Sequence, residues 1–127
     1  MPLYHVWFAT KRRKWLIQGE VVDFVREQMR AIAAEKGLRL LECEAIVDHV
    51  HLILETAGRP DLSKAMNYLK GTSSRRLGQQ FPDFKQDAGI GSFWQHRYTC
   101  KEISPAAVPA VSRYIRTQWE RLSSYER

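Results

Sequence analysis

Only two cysteines occur in 127 residues, Cys43 and Cys100. They make no CxxC pair and no disulfide framework, so they read as buried free thiols in a reducing compartment. Long apolar runs are missing too. None approaches the roughly 18 residues of a membrane span. At the N-terminus apolar PLYHVWFAT precedes basic KRRK, the reverse of the charge order of a signal peptide. The expectation is a cytoplasmic protein with no membrane partner. No internal repeat, low-complexity tract or interdomain linker breaks the chain, so residues 1–127 read as one domain, long enough to bury a core without staples. Acid is scarcer than base. Fourteen Asp and Glu face twenty Lys and Arg, for a net charge of +6. That balance suits a polyanionic partner, nucleic acid first and an anionic membrane surface second, although ordinary solubility explains it as well.

The chain is 44% hydrophobic, which makes it globular and gives it patterns to read. LYHVWFAT (3–10) is aromatic and β-branched, a first strand ended by KRRK. From Glu20 to Lys36, Val21, Val25, Met29, Ile32 and Ala33 recur at helical spacing, with Gly37 as the natural stop. LRLLECEAIV (38–47) and HVHLILE (49–55) read as two strands paired antiparallel through a tight turn or bulge at Asp48. Asp61 is positioned to cap a second helix whose buried stripe is Leu62, Ala65, Met66 and Leu69. The Gly, Pro and polar residues of 78–92 suggest a mobile loop, and FWQHRYTCK (93–101) a fourth strand. Ser104 and Pro105 then start a last helix running to about Ser124. The order βαββαβα implies an α+β protein of ferredoxin-like or RRM-like type, an antiparallel sheet with helices on one face and a further helix at the C-terminus.

Within the strand VDHVHLIL, side chains alternate faces. Val50, Leu52 and Leu54 take the core, which leaves His49, His51 and Ile53 on the other side, the two histidines about 7 Å apart by the strand rise. Two neutral imidazoles on one face can converge on a divalent cation. They can equally be surface side chains, and a metal needs a third ligand from elsewhere.

The last helix buries Val108, Val111, Ile115, Trp119 and Leu122 at steps of three and four. Tyr114 and Gln118 stack on one flank of that stripe. By themselves they read as amphipathic packing and surface. Together with HxH on a strand, a basic helix containing LKGTSSRRL, and FWQHRY, they form an ordered pattern from YHVWFATKRRK to YIRTQ. That pattern resembles the single-tyrosine HUH transposases of small insertion sequences and their REP-associated relatives, over nearly the whole chain.

The resemblance implies that His49 and His51 are the metal-binding pair, with Gln118 as third ligand and Mg2+ or Mn2+ as the cofactor. It implies that Tyr114 attacks a phosphodiester of hairpin-associated single-stranded DNA. The product is a 5′-phosphotyrosine and a free 3′-hydroxyl, and a second transesterification rejoins strands. It further implies a homodimer in which the tyrosine helix often serves the partner's histidines. Imidazole suits manganese, cobalt or zinc better than magnesium, whereas the amide and phosphate oxygens suit a hard ion. Such relatives commonly carry a glycine before the tyrosine helix. This chain has Pro105 and Pro109 there, which stiffens the link.

The residues suited to phosphate contacts are Lys64, Asn67, Lys70 and Ser74 on the second helix, with Arg75 and Arg76 beside them. Lys11, Arg12 and Arg13, continued by Lys14, add a basic arm, and His96, Arg97 and Tyr98 follow nearby, able to stack on or orient bases. Gly71 in mid-helix hints at close approach by another backbone. Two other readings compete. One is a non-catalytic nucleic-acid module on an RRM-like sheet, and the other a phosphoesterase that hydrolyses with water. The second would be expected to carry two histidine motifs, and only one is present.

Overall fold

The structure is a computed structural model, and it describes residues 1–83 and 93–118. In chain order it contains β1 (Leu3–Ala9), a 3₁₀ turn (Lys11–Arg13), α1 (Glu20–Glu35), β2 (Arg39–Ile46), β3 (His49–Glu55), α2 (Arg59–Gln80), β4 (Thr99–Ile103), a second 3₁₀ turn (Pro105–Ala107) and α3 (Val108–Arg116). The strands form one sheet in the order β2-β3-β1-β4. Each neighbouring pair is antiparallel. The α+β antiparallel sheet expected from the sequence is the fold, and β1 and β3 are its central strands.

Alternation decides which face does what. Tyr4, Val6 and Phe8 of β1 and Val50, Leu52 and Leu54 of β3 join Val21, Val25, Met29 and Ile32 of α1 and Leu62, Met66, Leu69 and Leu77 of α2 in one core. Each aliphatic side chain so buried stabilises the fold by about 1.5–3 kcal/mol. α1 stops where Gly37 takes φ +65°. There the amides of Gly37 and Leu38 bond back to the carbonyls of Ala34 and Ala33, the paired closure that only a residue free of Cβ makes cheaply. α3 lies against the opposite face. Its Tyr114 ring meets His5 and His51, and its Arg116 reaches Glu42, the register partner of Ile53. Ile53 and Ile115 are both fully buried.

Several boundaries differ from expectation. α2 starts at Arg59 with Gly58 as its cap, and Asp61 sits in the first turn instead of capping it. It runs on to Gln80, so 78–80 are helical, and the rest of the expected loop lies largely outside the described residues. The fourth strand is Thr99–Ile103 and not 93–101. Phe93 and Trp94 are pulled into the core instead. The Trp94 indole stacks edge-on against Phe8 and donates to Ser73 Oγ at 2.8 Å, and only an isolated bridge to Thr10 remains of strand pairing. Among the described residues Gly71 meets no approaching backbone, and a Cβ there would touch none of them within 4 Å. Ser104 precedes a 3₁₀ turn without bonding to it through its side chain. The helix beyond Gln118, with Trp119 and Leu122, falls outside the described residues.

Candidate active site

Ile46 pairs with His49, so a two-residue turn, Val47–Asp48, joins β2 to β3. Val47 has φ +35°, a costly conformation for a β-branched residue and one that surrounding contacts must impose. They do: the Val47 carbonyl accepts from Ile17 N at 2.8 Å, and the Asp48 carbonyl accepts from Thr10 N at 2.8 Å and from Thr10 Oγ1 at 3.2 Å. The turn is thereby fixed, and with it the position of the Asp48 carboxylate.

That carboxylate bridges two groups. Its Oδ1 lies 2.7 Å from His49 Nδ1, and its Oδ2 accepts from Arg13 Nε at 3.0 Å. A carboxylate can only accept, so His49 donates through Nδ1 and its Nε2 is left with a lone pair in the neutral ring. His51 is held differently: its Nδ1 lies 3.0 Å from His5 Nε2 on the neighbouring strand. The two histidine rings of β3 stand 4.9 Å apart and nearly perpendicular. Burial, then the neighbouring His49 and His5, pushes His51 down to about 3. Burial and then Lys101 lower His5 as well. His51 is therefore a neutral, electron-donating imidazole throughout the physiological range.

α3 closes the site. The exposed ring of Tyr114 lies edge-on to His51 at 5.9 Å and to His5 at 6.2 Å. One turn later Gln118 donates from its amide nitrogen to the Tyr114 carbonyl at 2.9 Å, so the amide oxygen is the end left to act as a ligand. His49, His51, Tyr114, Gln118, Arg13 and Arg97 all line one cleft of about 360 Å³. Among the described residues no three His, Cys, Asp or Glu side chains converge as a metal site would require. A cation there needs the Gln118 oxygen beside the two imidazole nitrogens, and that donor set fits a small divalent ion.

The basic residues divide by position. Arg13 and Arg97 face the cleft. Arg12 is exposed and Lys11 is half-buried. On α2, Lys70 donates to the carbonyls of His96 and Arg97, and Ser74 Oγ accepts from Phe93 N. Those bonds hold the irregular 93–98 segment against α2, while Gln95 N donates at 2.9 Å to the Ala9 carbonyl at the end of β1. Arg76 pairs with Glu35 and Gln28 of α1. Asn67 and Arg75 are exposed. Lys64 shares a groove with Glu55, at the other end of β3 from His49.

Sequence reading missed the roles of Asp48 and Trp7, and for His5, which could lie near the histidine pair, it offered no role. Trp7 pairs with His51 across β1 and β3, its ring stacked at 6.2 Å. Alternation along YHVWF does place His5 and Trp7 on one face, but the β1–β3 register that sets them beside His51 is a tertiary fact. Asp48, directly before the first histidine, carried the one local signal.

Residues 2–118 match the family of IS200-like transposases. The chain is 30% identical to the ISDra2 transposase TnpA of Deinococcus radiodurans, covering 93% of this chain and 84% of that protein. It is 34% identical to the transposase for insertion sequence element IS200 of Salmonella typhimurium, covering 92% of this chain and 76% of the relative. Among solved structures, a crystal structure of a candidate transposase from Deinococcus radiodurans superposes with a TM-score of 0.70 at 35% identity, over 93% of this chain and 92% of that one. A REP-associated tyrosine transposase bound to a REP hairpin superposes with a TM-score of 0.61. That match covers 91% of this chain and 65% of the neighbour at 16% identity, and is a likeness of fold alone.

Proposed function

The chain belongs to the IS200-like transposase family, and from that premise we propose that it nicks and rejoins single-stranded DNA at hairpin-associated sites, with Tyr114 as the nucleophile. The observation that carries the reading is the Tyr114 ring set edge-on to His51 at 5.9 Å, with His49 beside it. His49, His51 and Gln118 would hold Mg2+ or Mn2+, which when bound supplies charge stabilisation at the scissile phosphate worth several kcal/mol. The chain's own groups do the rest. Asp48 and His5 fix the two imidazole rings, and Arg13 and Arg97 attract the strand's phosphates into the cleft.

The phenol oxygen of Tyr114 attacks phosphorus, and its proton leaves to solvent, to which the ring is open. The bond from phosphorus to the 3′-oxygen breaks, and that oxygen takes a proton to become a free hydroxyl. A free phenol is ionised in only about one molecule in a thousand at pH 7, so the attack needs help from its surroundings. The 5′-phosphotyrosine conserves the bond energy, and attack by another 3′-hydroxyl rejoins strands without ATP. Preference for hairpins extends to this chain what is named for its REP-associated structural neighbour. A homodimer belongs to the same proposal, and the nearness of Tyr114 to the His51 of its own chain favours sites assembled within one subunit.

The test is covalent trapping on a denaturing gel, with the oligonucleotide labelled at its 3′ end. Unmodified protein with Mn2+ gives a shifted protein–DNA band, and Tyr114→Phe gives none while binding the same DNA within about twofold. An adduct from Tyr114→Phe moves the nucleophile elsewhere. No adduct from unmodified protein that still binds DNA leaves the non-catalytic module. Mixing Tyr114→Phe with a His49→Ala, His51→Ala double variant gives no adduct if each subunit uses its own tyrosine. An adduct on the histidine-variant subunit shows sharing between subunits.

A further inference from the structure

Trp15 is 61% exposed, more than any other described aromatic side chain. An indole in water forgoes favourable burial, and here the backbone gives it no freedom to tuck away. Ile17, two residues on, is fully buried and bonded to Val47, Leu16 N donates to the Lys14 carbonyl at 2.8 Å, and Gln18 Nε2 donates to the Trp15 carbonyl at 2.8 Å. The fold presents this ring to solvent.

Its surroundings state what it would meet. The stretch 11–19, KRRKWLIQG, carries four cations and no acid. Arg13 lines the cleft of the histidines and Tyr114, and two residues of chain span under roughly 8 Å, so the Trp15 backbone stands within about one nucleotide spacing of the Arg13 backbone. A flat, exposed aromatic set among cations, two residues from an arginine that lines the cleft, matches an unpaired base with its phosphates. Every base has a face to stack, and the cations neutralise the backbone on either side. A second copy docking symmetrically on this patch would bring two like-charged arms together, which disfavours it.

We propose that Trp15 is a stacking platform for a base of single-stranded DNA entering or leaving the cleft, with Arg12 and Arg13 holding the adjacent phosphates. This rests on the reading that the cleft takes single-stranded DNA, and it adds a recognition residue to it. Stacking is indifferent to base identity, so the platform grips and aligns the strand without reading its sequence.

The test is anisotropy of a labelled twelve-residue oligothymidylate with the full chain in EDTA, where no nicking competes, as a function of salt. Trp15→Ala should weaken binding about tenfold at fixed salt and leave the log–log salt slope unchanged, because no cation is lost. Trp15→Phe should recover most of that loss. Arg12→Ala should instead make the slope shallower by about 0.7. Part of the intrinsic fluorescence quenching by DNA should be lost in Trp15→Phe, leaving what Trp7 contributes from the cleft wall. Binding by Trp15→Ala within twofold of the unmodified protein overturns the platform, as does Trp15→Phe no better than Trp15→Ala. A Trp15→Ala protein that binds DNA normally but changes its sedimentation overturns it in favour of a self-association surface. Adduct formation reports the proposed reaction separately. If adduct forms and Trp15→Ala binds normally, only the platform fails. If the unmodified protein binds no single strand, both fail.

Discussion

β3 presents two faces of nearly equal burial and opposite chemistry. Val50, Leu52 and Leu54 point under α1 and α2, and none of them exposes any surface. His51 and Ile53, one residue out of phase, are 6% and 0% exposed beneath α3. What differs is the cover. The aliphatic face meets two long helices whose buried stripes are apolar except for Ser73 of α2, which is bonded to Trp94. The histidine face meets a nine-residue helix that brings Tyr114 and leaves a cleft beside it. Among the described residues no buried side-chain polar atom lacks a hydrogen-bond partner, so the second face satisfies its imidazoles internally and keeps Nε2 of His49 free for a ligand. One face contributes stability, and the other places polar groups where reacting atoms can reach them.

Histidine substitution tests that separation most severely. His51→Ala, or EDTA with the unmodified protein, should abolish nicking, because either removes charge stabilisation at the phosphate. Hairpin DNA should still bind, and the variant should melt within a few degrees of the parent. Nicking that survives EDTA would remove the metal from the proposal. Leu52→Ala, the adjacent residue on the other face, should do the reverse. It should cost about 2–5 kcal/mol of stability through lost transfer and cavity terms, measured by urea unfolding, while the folded fraction retains its nicking rate. Equal damage to stability and rate in both variants would mean that the faces do not act separately.

Asp48→Asn probes the support of the site. The amide keeps the size but loses the charge that holds His49 and Arg13 together. Metal affinity should fall about 10–100-fold, as removal of a ligand's outer partner generally does. Titration of Mn2+ against nicking reads this directly, and excess metal should restore much of the rate. An unchanged metal dependence would make the contact between Asp48 and His49 purely structural.

The sequence exposed one face more fully than the other. Strand alternation and helical spacing are local, and they located the core of α1 and β3 and both histidines. Tyr114 and Gln118 gained meaning from the order of motifs across the whole chain. The contacts that tune the site were not visible. His5 reaches His51 through the register of β1 against β3, and Arg13 reaches Asp48 across 35 residues of chain. Residues 93–98 misled because strand propensity was read where Phe93 and Trp94 were needed as core plugs. Lys70 and Ser74, which look solvated on a helical wheel, bond to that same segment.

The smallest effect concerns one buried titratable group on each face. Burial drives both toward their neutral forms, His51 down to about 3 and Cys43, chiefly by desolvation, up to about 12. Cys43 faces the core, paired with Leu52 across β2 and β3. Its thiol loses a proton near 9 when unfolded and only near 12 when folded. Between those values the unfolded chain binds fewer protons than the native one, so stability falls as pH rises. The contribution is fully present below pH 9 and is lost progressively toward 12. From pH 8 to pH 10 the loss from this group should be about 1 kcal/mol. Cys43→Ala lacks the group, so the stability difference between parent and variant, followed by urea unfolding at each pH, should shrink by that amount across the interval. Thiol reagents should label Cys100 in the native protein and reach Cys43 only after unfolding. A difference independent of pH, or rapid labelling of native Cys43, would mean that the core face is open to water, and the contrast between the two faces would then be one of composition alone.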